Sequence, residues 1–264
     1  MKQITNKNLE LASQRDLSVT EMRNEINKFS TTIESLTQGV ANDAWSLVLI
    51  GEAGQGKTQG VVDTLNASGA KWAGIKGSAS AIGIYKFFFD HKDDNVIVID
   101  DSDALFESEE AGNMLKAAME SGSNRRITWS KQNTNLQAMN IPNEFEMTAR
   151  VIIITNKDLE EGDGRLTKAQ RIMKPVIDRA PVYKTGLPNR EWEIEYFRIM
   201  YEANRIICFD ERKMNLAQRE EIINFVIENN EQFRTLSFRL LDKICGFYLE
   251  MPENWKDFSL MTLA

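Results

Sequence analysis

The chain has 264 residues, of which 42% are hydrophobic and 27% are charged, and this suits a globular core domain with a smaller second domain. The net charge of −7 argues against a broad, non-specific nucleic-acid surface, which requires clustered lysine and arginine. The single histidine and the two distant cysteines argue against a histidine-based triad, a zinc site and a disulfide framework.

The N-terminal segment, residues 1–44, is polar and is predicted to be helical. Ser18-Val-Thr-Glu21 has the pattern of a capping box, and apolar residues follow it at helical spacing. The segment lacks the apolar centre of a signal peptide, and no apolar run in the sequence reaches the length of a membrane span. We therefore expect a cytoplasmic protein with no membrane segment.

Apolar runs bounded by turn residues predict five strands, at 45–50, 71–76, 95–100, 150–155 and 181–184. Segments with helical spacing lie between them, at 58–65, 84–89, 109–119 and 166–178. Residues 125–129 fit a short strand or hairpin, and loops are expected at 77–83, 130–142 and 160–164. This alternation predicts an α/β fold with a five-stranded parallel sheet covered by helices on both faces.

The pattern changes after Pro188, where amphipathic helices are predicted with no strands between them, at 192–203, 216–228 and 236–249. We therefore expect three parts: an N-terminal helical segment at 1–44, an α/β core at 45–187 and a small all-helical domain at 188–264.

Residues 51–58 match the phosphate-binding pattern G-x-x-x-x-G-K-[ST], between a predicted strand and a predicted helix. The glycines allow backbone N–H groups to converge on phosphate oxygens, and the helix N-terminus adds partial positive charge. Lys57 is expected to reach the β- and γ-phosphates, and Thr58 to offer its hydroxyl oxygen to Mg²⁺. The residues expected to bind the nucleotide are Gly51, Glu52, Ala53, Gly54, Gln55, Gly56, Lys57 and Thr58.

Polar side chains follow two further strands at the edge of the sheet where ligands bind. Asp100 and Asp101 end the buried run Val96-Ile-Val-Ile, so Asp100 is expected to hold Mg²⁺ and Asp101 to orient or deprotonate the attacking water. Asn156 follows the run at 150–155 and is expected to reach the γ-phosphate or the water.

Together these features resemble the AAA+ ATPase family, over roughly residues 40–250 and in the same order of motifs. Lys57 matches the Walker A lysine, Asp100 and Asp101 the Walker B pair, and Asn156 the sensor 1 residue. The resemblance implies an AAA+ core with a C-terminal helical lid, ATP and Mg²⁺ as cofactors, and ATP hydrolysis.

Two arginines also match family positions. Arg179, in Pro175-Val-Ile-Asp-Arg-Ala-Pro181, resembles the arginine finger, with Arg171, Arg125 and Arg126 as alternatives. Arg239, in the helix at 236–249, resembles the sensor 2 arginine, with Arg234 as the alternative. A finger acts on the site of a neighbouring subunit, so the resemblance implies a homo-oligomer, most naturally a hexameric ring with nucleotide at each interface.

A closer resemblance is to short AAA+ ATPases encoded by bacteriophages, which would place the protein in the host bacterial cytoplasm. It is carried by the segments 85–86, 100–103, 113–119, 126–129 and 145–156. One position departs from the family, because Walker B motifs usually end Asp-Glu and this one ends Asp-Asp. The shorter carboxylate at Asp101 implies slower hydrolysis, or assistance from Asp103.

Three functions stay open at this stage. The acidic charge favours an ATP-driven machine that remodels a protein partner. A cluster of Trp129 with Arg125, Arg126 and Lys131 favours a DNA-handling ATPase of the clamp-loader or helicase-loader type. The Asp-Asp ending favours a slowly hydrolysing, nucleotide-gated assembly module. The loop at 77–83 is a candidate for gripping a threaded polymer.

Overall fold

A computed structural model describes residues 4–5, 18–122, 125–131, 134–159 and 165–264. The loop expected at 160–164 lies outside these residues. The chain forms two compact units. The first contains Ser30–Glu52, Lys57–Thr185 and the strand at 4–5, and the second contains residues 18–29, Ala53–Gly56 and Gly186–Ala264. The three-part division at residues 44 and 187 stays a prediction.

The first unit is built around a sheet whose strands alternate with helices. The strands are β1 (Ile4–Thr5), β2 (Leu47–Ile50), β3 (Trp72–Lys76), β4 (Val96–Asp100), β7 (Arg150–Thr155) and β8 (Val182–Lys184), with the pair β5 (Arg125–Thr128) and β6 (Glu144–Met147) forming a separate hairpin. The helices are α1 (Val19–Ala41), which begins in the second unit, α2 (Lys57–Ser68), α3 (Ala81–Asp90), α4 (Glu109–Ala118), α5 (Thr134–Ala138) and α6 (Lys168–Ile177).

The main sheet has the strand order β1-β8-β2-β7-β4-β3, and all of its neighbouring strands are parallel. The five predicted strands therefore form the expected parallel sheet, and β1 adds a sixth strand at its edge. The prediction that residues 1–44 are helical is wrong at Ile4–Thr5, because β1 pairs with the edge of β8, where backbone groups would otherwise lack a partner. The capping box at the start of α1 is present, since the Ser18 amide donates to the Glu21 carboxylate at 3.0 Å.

Three strands position the site: β2, β7 and β4. Every residue of these strands is buried, as expected for apolar runs in a sheet covered on both faces. Strand β7 lies between β2 and β4, with Ile50 beside Thr155 and Asp100 beside Ile154. The residues that follow the three strands therefore emerge next to one another at one edge of the sheet.

The second unit is helical in its described residues, with α7 (Arg190–Glu202), α8 (Ile207–Glu211), α9 (Leu216–Glu228), α10 (Phe238–Glu250) and α11 (Trp255–Leu263) around a core of their own. Side chains of Asn189, Asn215 and Ser237 cap the first residues of α7, α9 and α10. The sequence pattern missed α8, which has five residues, and α11, whose N-cap Asn254 makes no side-chain capping bond. No helix in the described part of the chain has the length and apolarity needed to cross a membrane.

The hairpin β5–β6 is antiparallel and is held by a buried arginine. Arg125 is 2% exposed, and its guanidinium donates hydrogen bonds to the carbonyl oxygens of Gly122 at 2.8 Å, Ala149 at 2.8 Å and Thr148. Burial lowers the pKa of Arg125 to about 10, so the group is still a cation at neutral pH. The loop expected at 130–142 contains α5, which buries Leu136.

Replacing Arg125 by methionine should destabilise the fold, because a similar volume is kept while buried carbonyl oxygens lose their donors. We expect Arg125→Met to lower the free energy of unfolding by about 2–3 kcal/mol, measured by urea denaturation. The control is Arg126→Met, since that side chain is exposed and its ion pair with Glu144 should contribute less than about 1 kcal/mol. Equal effects of the two substitutions would contradict this role for Arg125.

Candidate active site

The loop at 51–58 has the backbone conformation that its glycines predict. Gly54 and Gly56 have φ angles of 80° and 79°, in the left-handed region that residues with a side chain rarely adopt. Successive turns of this kind direct backbone N–H groups to one side of the chain, which makes an anion-binding concavity. The helix α2 starts at Lys57, directly after this turn, and adds the partial charge of its N-terminus.

Gly51 is required for a different reason, the close approach of a neighbouring strand end. A Cβ atom at Gly51 would overlap the hydroxyl of Thr185 and would lie 2.5 Å from the Thr185 carbonyl oxygen. The Thr185 amide also donates to the Ile50 carbonyl oxygen at 2.6 Å, which fixes the two segments together. Thr185 carries no signal in the sequence, because its role depends on β8 lying beside β2.

Lys57 holds the loop in a closed curve. Its side chain donates to the carbonyl oxygens of Gly51 at 2.9 Å and Glu52 at 2.6 Å, and to the Asn156 amide oxygen at 3.2 Å. Lys57 is only 5% exposed, so its ammonium group needs these oxygen acceptors. The same group is a cation placed at the centre of the phosphate-binding pattern.

The side-chain oxygen atoms of Thr58 and Asp100 lie next to each other. The Thr58 hydroxyl lies 3.2 Å from both carboxylate oxygens of Asp100, which is 5% exposed. A hydroxyl and one carboxylate, completed by phosphate oxygens and water, is a donor set that suits Mg²⁺. Thr58 and Asp100 are thus the residues that would hold the metal.

Lys76 is a site residue that the sequence reasoning missed. Its ammonium group lies 3.0 Å from the Asp100 carboxylate. The contact follows from strand register, because Lys76 ends β3 directly beside Asp100 at the end of β4. The available signal was a lysine at the end of the strand that precedes β4 in the chain, but the sequence did not show that these two strands are neighbours in the sheet.

Asn156 connects the lysine to the second aspartate. Its amide nitrogen donates to the Asp101 carboxylate at 3.1 Å, while its amide oxygen accepts from Lys57. The bridge is possible because β7 lies between β2 and β4. The structure therefore brings together five of the predicted residues: Lys57, Thr58, Asp100, Asp101 and Asn156.

Asp101 has a left-handed backbone, with a φ angle of 50°, and its amide donates to the Ile154 carbonyl oxygen at 3.1 Å. Aspartate and asparagine adopt this conformation at lower cost than other residues with side chains, because their short polar groups bond locally. Asp103, the residue considered as an assistant, accepts a hydrogen bond from the Thr155 hydroxyl at 2.9 Å.

The two predicted arginines lie in different units. Arg179, in the first unit, is 24% exposed and donates to the Glu120 carboxylate at 2.9 Å and to the Pro175 carbonyl oxygen. This bond from Arg179 lowers the pKa of Glu120. Arg239, in the second unit, is exposed on α10, one residue after Phe238, whose amide donates to the Gly54 carbonyl oxygen at 3.3 Å. Their assigned roles stay predictions.

The alternatives to these arginines occupy three environments. Arg125 is wrong as a finger candidate, because its guanidinium is buried against backbone carbonyl groups. Arg126 pairs with Glu144 at 3.2 Å. Arg171 and Arg234 are exposed.

The cluster around Trp129 is less available for nucleic acid than the sequence suggested. Its indole is half-buried against the ring of Tyr85, with centroids 5.6 Å apart. Lys131 pairs with Glu110, so that cation is neutralised within the chain.

No family model matches the chain. The chain is 26% identical over 250 residues to an uncharacterized 36.7 kDa protein in the nrdC-mobD intergenic region of Enterobacteria phage T4, covering 91% of this chain and 75% of that protein. A solved structure, domain III of the replication initiation protein DnaA from Thermotoga maritima, matches with a TM-score of 0.48 and 14% identity, covering 86% of this chain and 85% of that one. The first similarity relates the chain to a phage protein, and the second is too low to carry an argument.

The backbone of Asp101 generates a prediction about its substitution. We expect Asp101→Glu to lower the free energy of unfolding by about 1 kcal/mol, because the longer side chain loses the local compensation in the left-handed region. Asp101→Asn should change it by less than about 0.5 kcal/mol. Urea denaturation measures both.

The control for this comparison is Asp257→Glu, an exposed position in the right-handed helix α11, which should be nearly neutral. An Asp101→Glu variant as stable as the Asp257→Glu variant would show that the backbone at Asp101 imposes no such preference.

Proposed function

We propose that this chain is a Mg²⁺-dependent P-loop ATPase of the AAA+ type. The observation that carries the proposal is the position of Asn156, whose amide contacts both the Lys57 ammonium group and the Asp101 carboxylate. Such a bridge links a cation suited to phosphate with a carboxylate suited to water activation. This arrangement supports ATP hydrolysis more strongly than it supports ATP binding without hydrolysis.

Each residue has a role that follows from its chemistry. The loop amides and Lys57 bind the phosphates, and Thr58 with Asp100 hold Mg²⁺, which when bound neutralises phosphate charge. Asp101 orients the attacking water and accepts its proton, while Asn156 fixes the direction of that carboxylate. Lys76, at the end of β3, pairs with the Asp100 carboxylate and offsets part of its negative charge.

The length of the Asp101 side chain bears on the rate. A misplacement of about 1 Å can cost about 10²-fold in rate, and aspartate is one methylene shorter than the glutamate usual in this family. The hydrogen bond from Asn156 holds the Asp101 carboxylate in one orientation, which limits that loss. We therefore favour turnover over a purely nucleotide-gated assembly module.

The substitution Lys57→Ala tests nucleotide binding. It removes a buried cation from the phosphate-binding loop, so we expect ATP binding, measured by calorimetry in the presence of Mg²⁺, to fall below detection. The control is Lys71→Ala, an exposed lysine of the same unit that pairs with Asp94 and should leave the affinity unchanged. Unaltered ATP affinity in Lys57→Ala would sink the proposal.

We further propose that the site is completed in a homo-oligomeric ring by Arg179 of a neighbouring copy, with Arg239 as the sensor 2 residue. Arg179 is held at the surface by Glu120, in an ion pair whose partner carboxylate is itself exposed. Because the Glu120 end of the pair is exposed to solvent, we expect that replacing Glu120 by the phosphate of a nucleotide bound to the neighbouring copy costs little. ATP turnover by the ring would act on a macromolecular partner, with a protein favoured.

The matched pair Arg179→Ala and Glu120→Ala separates a catalytic arginine from a structural ion pair. Both variants lose the ion pair, and Arg179→Ala also loses the bond to the Pro175 carbonyl oxygen, so a structural role predicts small effects on stability and little effect on kcat in either variant. We expect Arg179→Ala alone to lower kcat for ATP by about 10³-fold while ATP binding persists. Similar kcat values for the two variants would remove Arg179 from the mechanism.

A DNA-handling role is the second candidate, motivated by the cations beside Trp129. The burial of Arg125 weakens this candidate, whereas Arg126 and Lys131 form exposed ion pairs with carboxylates that an anionic ligand could displace. Measuring kcat for ATP hydrolysis with single-stranded and duplex DNA, over a range of salt concentrations, discriminates a DNA-handling ATPase from one that acts on a protein. Stimulation that declines with salt would favour DNA over a protein partner.

A further inference from the structure

The middle of the phosphate-binding loop, Ala53–Gly56, belongs to the second unit together with α7 and α10. The side chain of Tyr196, on α7, donates a hydrogen bond from its hydroxyl to the Gln55 carbonyl oxygen at 3.2 Å. Tyr196 is 5% exposed, and burial raises its pKa to about 12, so the hydroxyl is a proton donor throughout the physiological range. A buried donor is thus directed at the backbone of the loop.

A second contact comes from the first turn of α10. The Phe238 amide donates to the Gly54 carbonyl oxygen at 3.3 Å. This amide is one of the helix-terminal N–H groups that have no partner within their own helix. Consecutive carbonyl groups of the loop, at Gly54 and Gln55, are therefore each bound by a different helix.

The loop also touches these helices closely. A Cβ atom at Gly54 would lie 2.6 Å from the Ser237 Cβ, and one at Gly56 would lie 3.3 Å from the Tyr196 hydroxyl. The Tyr196 ring packs against Phe238, with centroids 5.7 Å apart, and against the edge of Phe29 at 6.1 Å. The tyrosine is therefore held in place by ring contacts that do not involve its hydroxyl.

We propose that Tyr196 is a positioning residue for the phosphate-binding loop, acting through the Gln55 carbonyl with the Phe238 amide as its companion. Holding two successive carbonyl groups fixes the peptide planes, and so fixes the direction of the loop N–H groups on their other side. The loop is then already ordered in the folded protein, so nucleotide binding does not have to offset the loss of its conformational entropy. The inference rests on the proposed function, because it assigns the loop to phosphate.

The test is Tyr196→Phe, which keeps the ring contacts and removes only the hydroxyl. We expect the Kd for ATP with Mg²⁺ to rise about two- to tenfold, the range for one lost hydrogen bond, while kcat at saturating ATP stays within about twofold. The matched control is Tyr248→Phe, which loses a hydroxyl bonded to Glu221 at 3.1 Å in the same unit. Urea denaturation checks that both variants are folded.

A second measurement does not depend on nucleotide. Amide hydrogen exchange of the peptide containing Gly54–Lys57 should be faster in Tyr196→Phe than in wild type, and unchanged in Tyr248→Phe. Unchanged exchange of the loop in Tyr196→Phe would overturn the positioning role. Faster exchange in a chain whose wild type fails to bind ATP would support the role and reject the proposed function, so the two failures are distinguishable.

Discussion

The buried ammonium group of Lys57 is the constraint on which the rest of the site depends. A cation with 5% exposure must be surrounded by oxygen atoms, and the loop supplies them by turning the carbonyl groups of Gly51 and Glu52 inwards. Asn156 is a further acceptor, and it reaches Lys57 because β7 lies next to β2. The strand order and the curvature of the loop therefore both place oxygen acceptors around the Lys57 ammonium group.

The local elements and the phosphate-binding loop could be predicted because their signals lie within short stretches of sequence. Buried strands such as β4 and β7 appear as continuous apolar runs, and the loop at 51–58 has a fixed pattern of glycines. The positions of Asp100, Asp101 and Asn156 at one sheet edge follow from parallel strands. Their mutual distances do not, since these depend on which strands are neighbours.

The features that could not be predicted all depend on contacts between distant parts of the chain. Thr185 meets Gly51 and Lys76 meets Asp100 through strand order and register, which no local pattern specifies. The partners of the charges near Trp129 could not be predicted for the same reason. Arg126 pairs with Glu144, which lies across the hairpin. This partner could be identified only once the pairing of β5 with β6 was known.

The left-handed backbone at Asp101 limits which substitutions this position can accept. Aspartate and glutamate codons differ by a single base, so the glutamate usual in the AAA+ ATPases that the sequence resembles is one mutation away. In this backbone that step lengthens a carboxylate that Asn156 already holds and removes the local compensation that aspartate provides. An exchange that looks conservative by chemistry is therefore disfavoured by the backbone at this position, at a cost of about 1 kcal/mol.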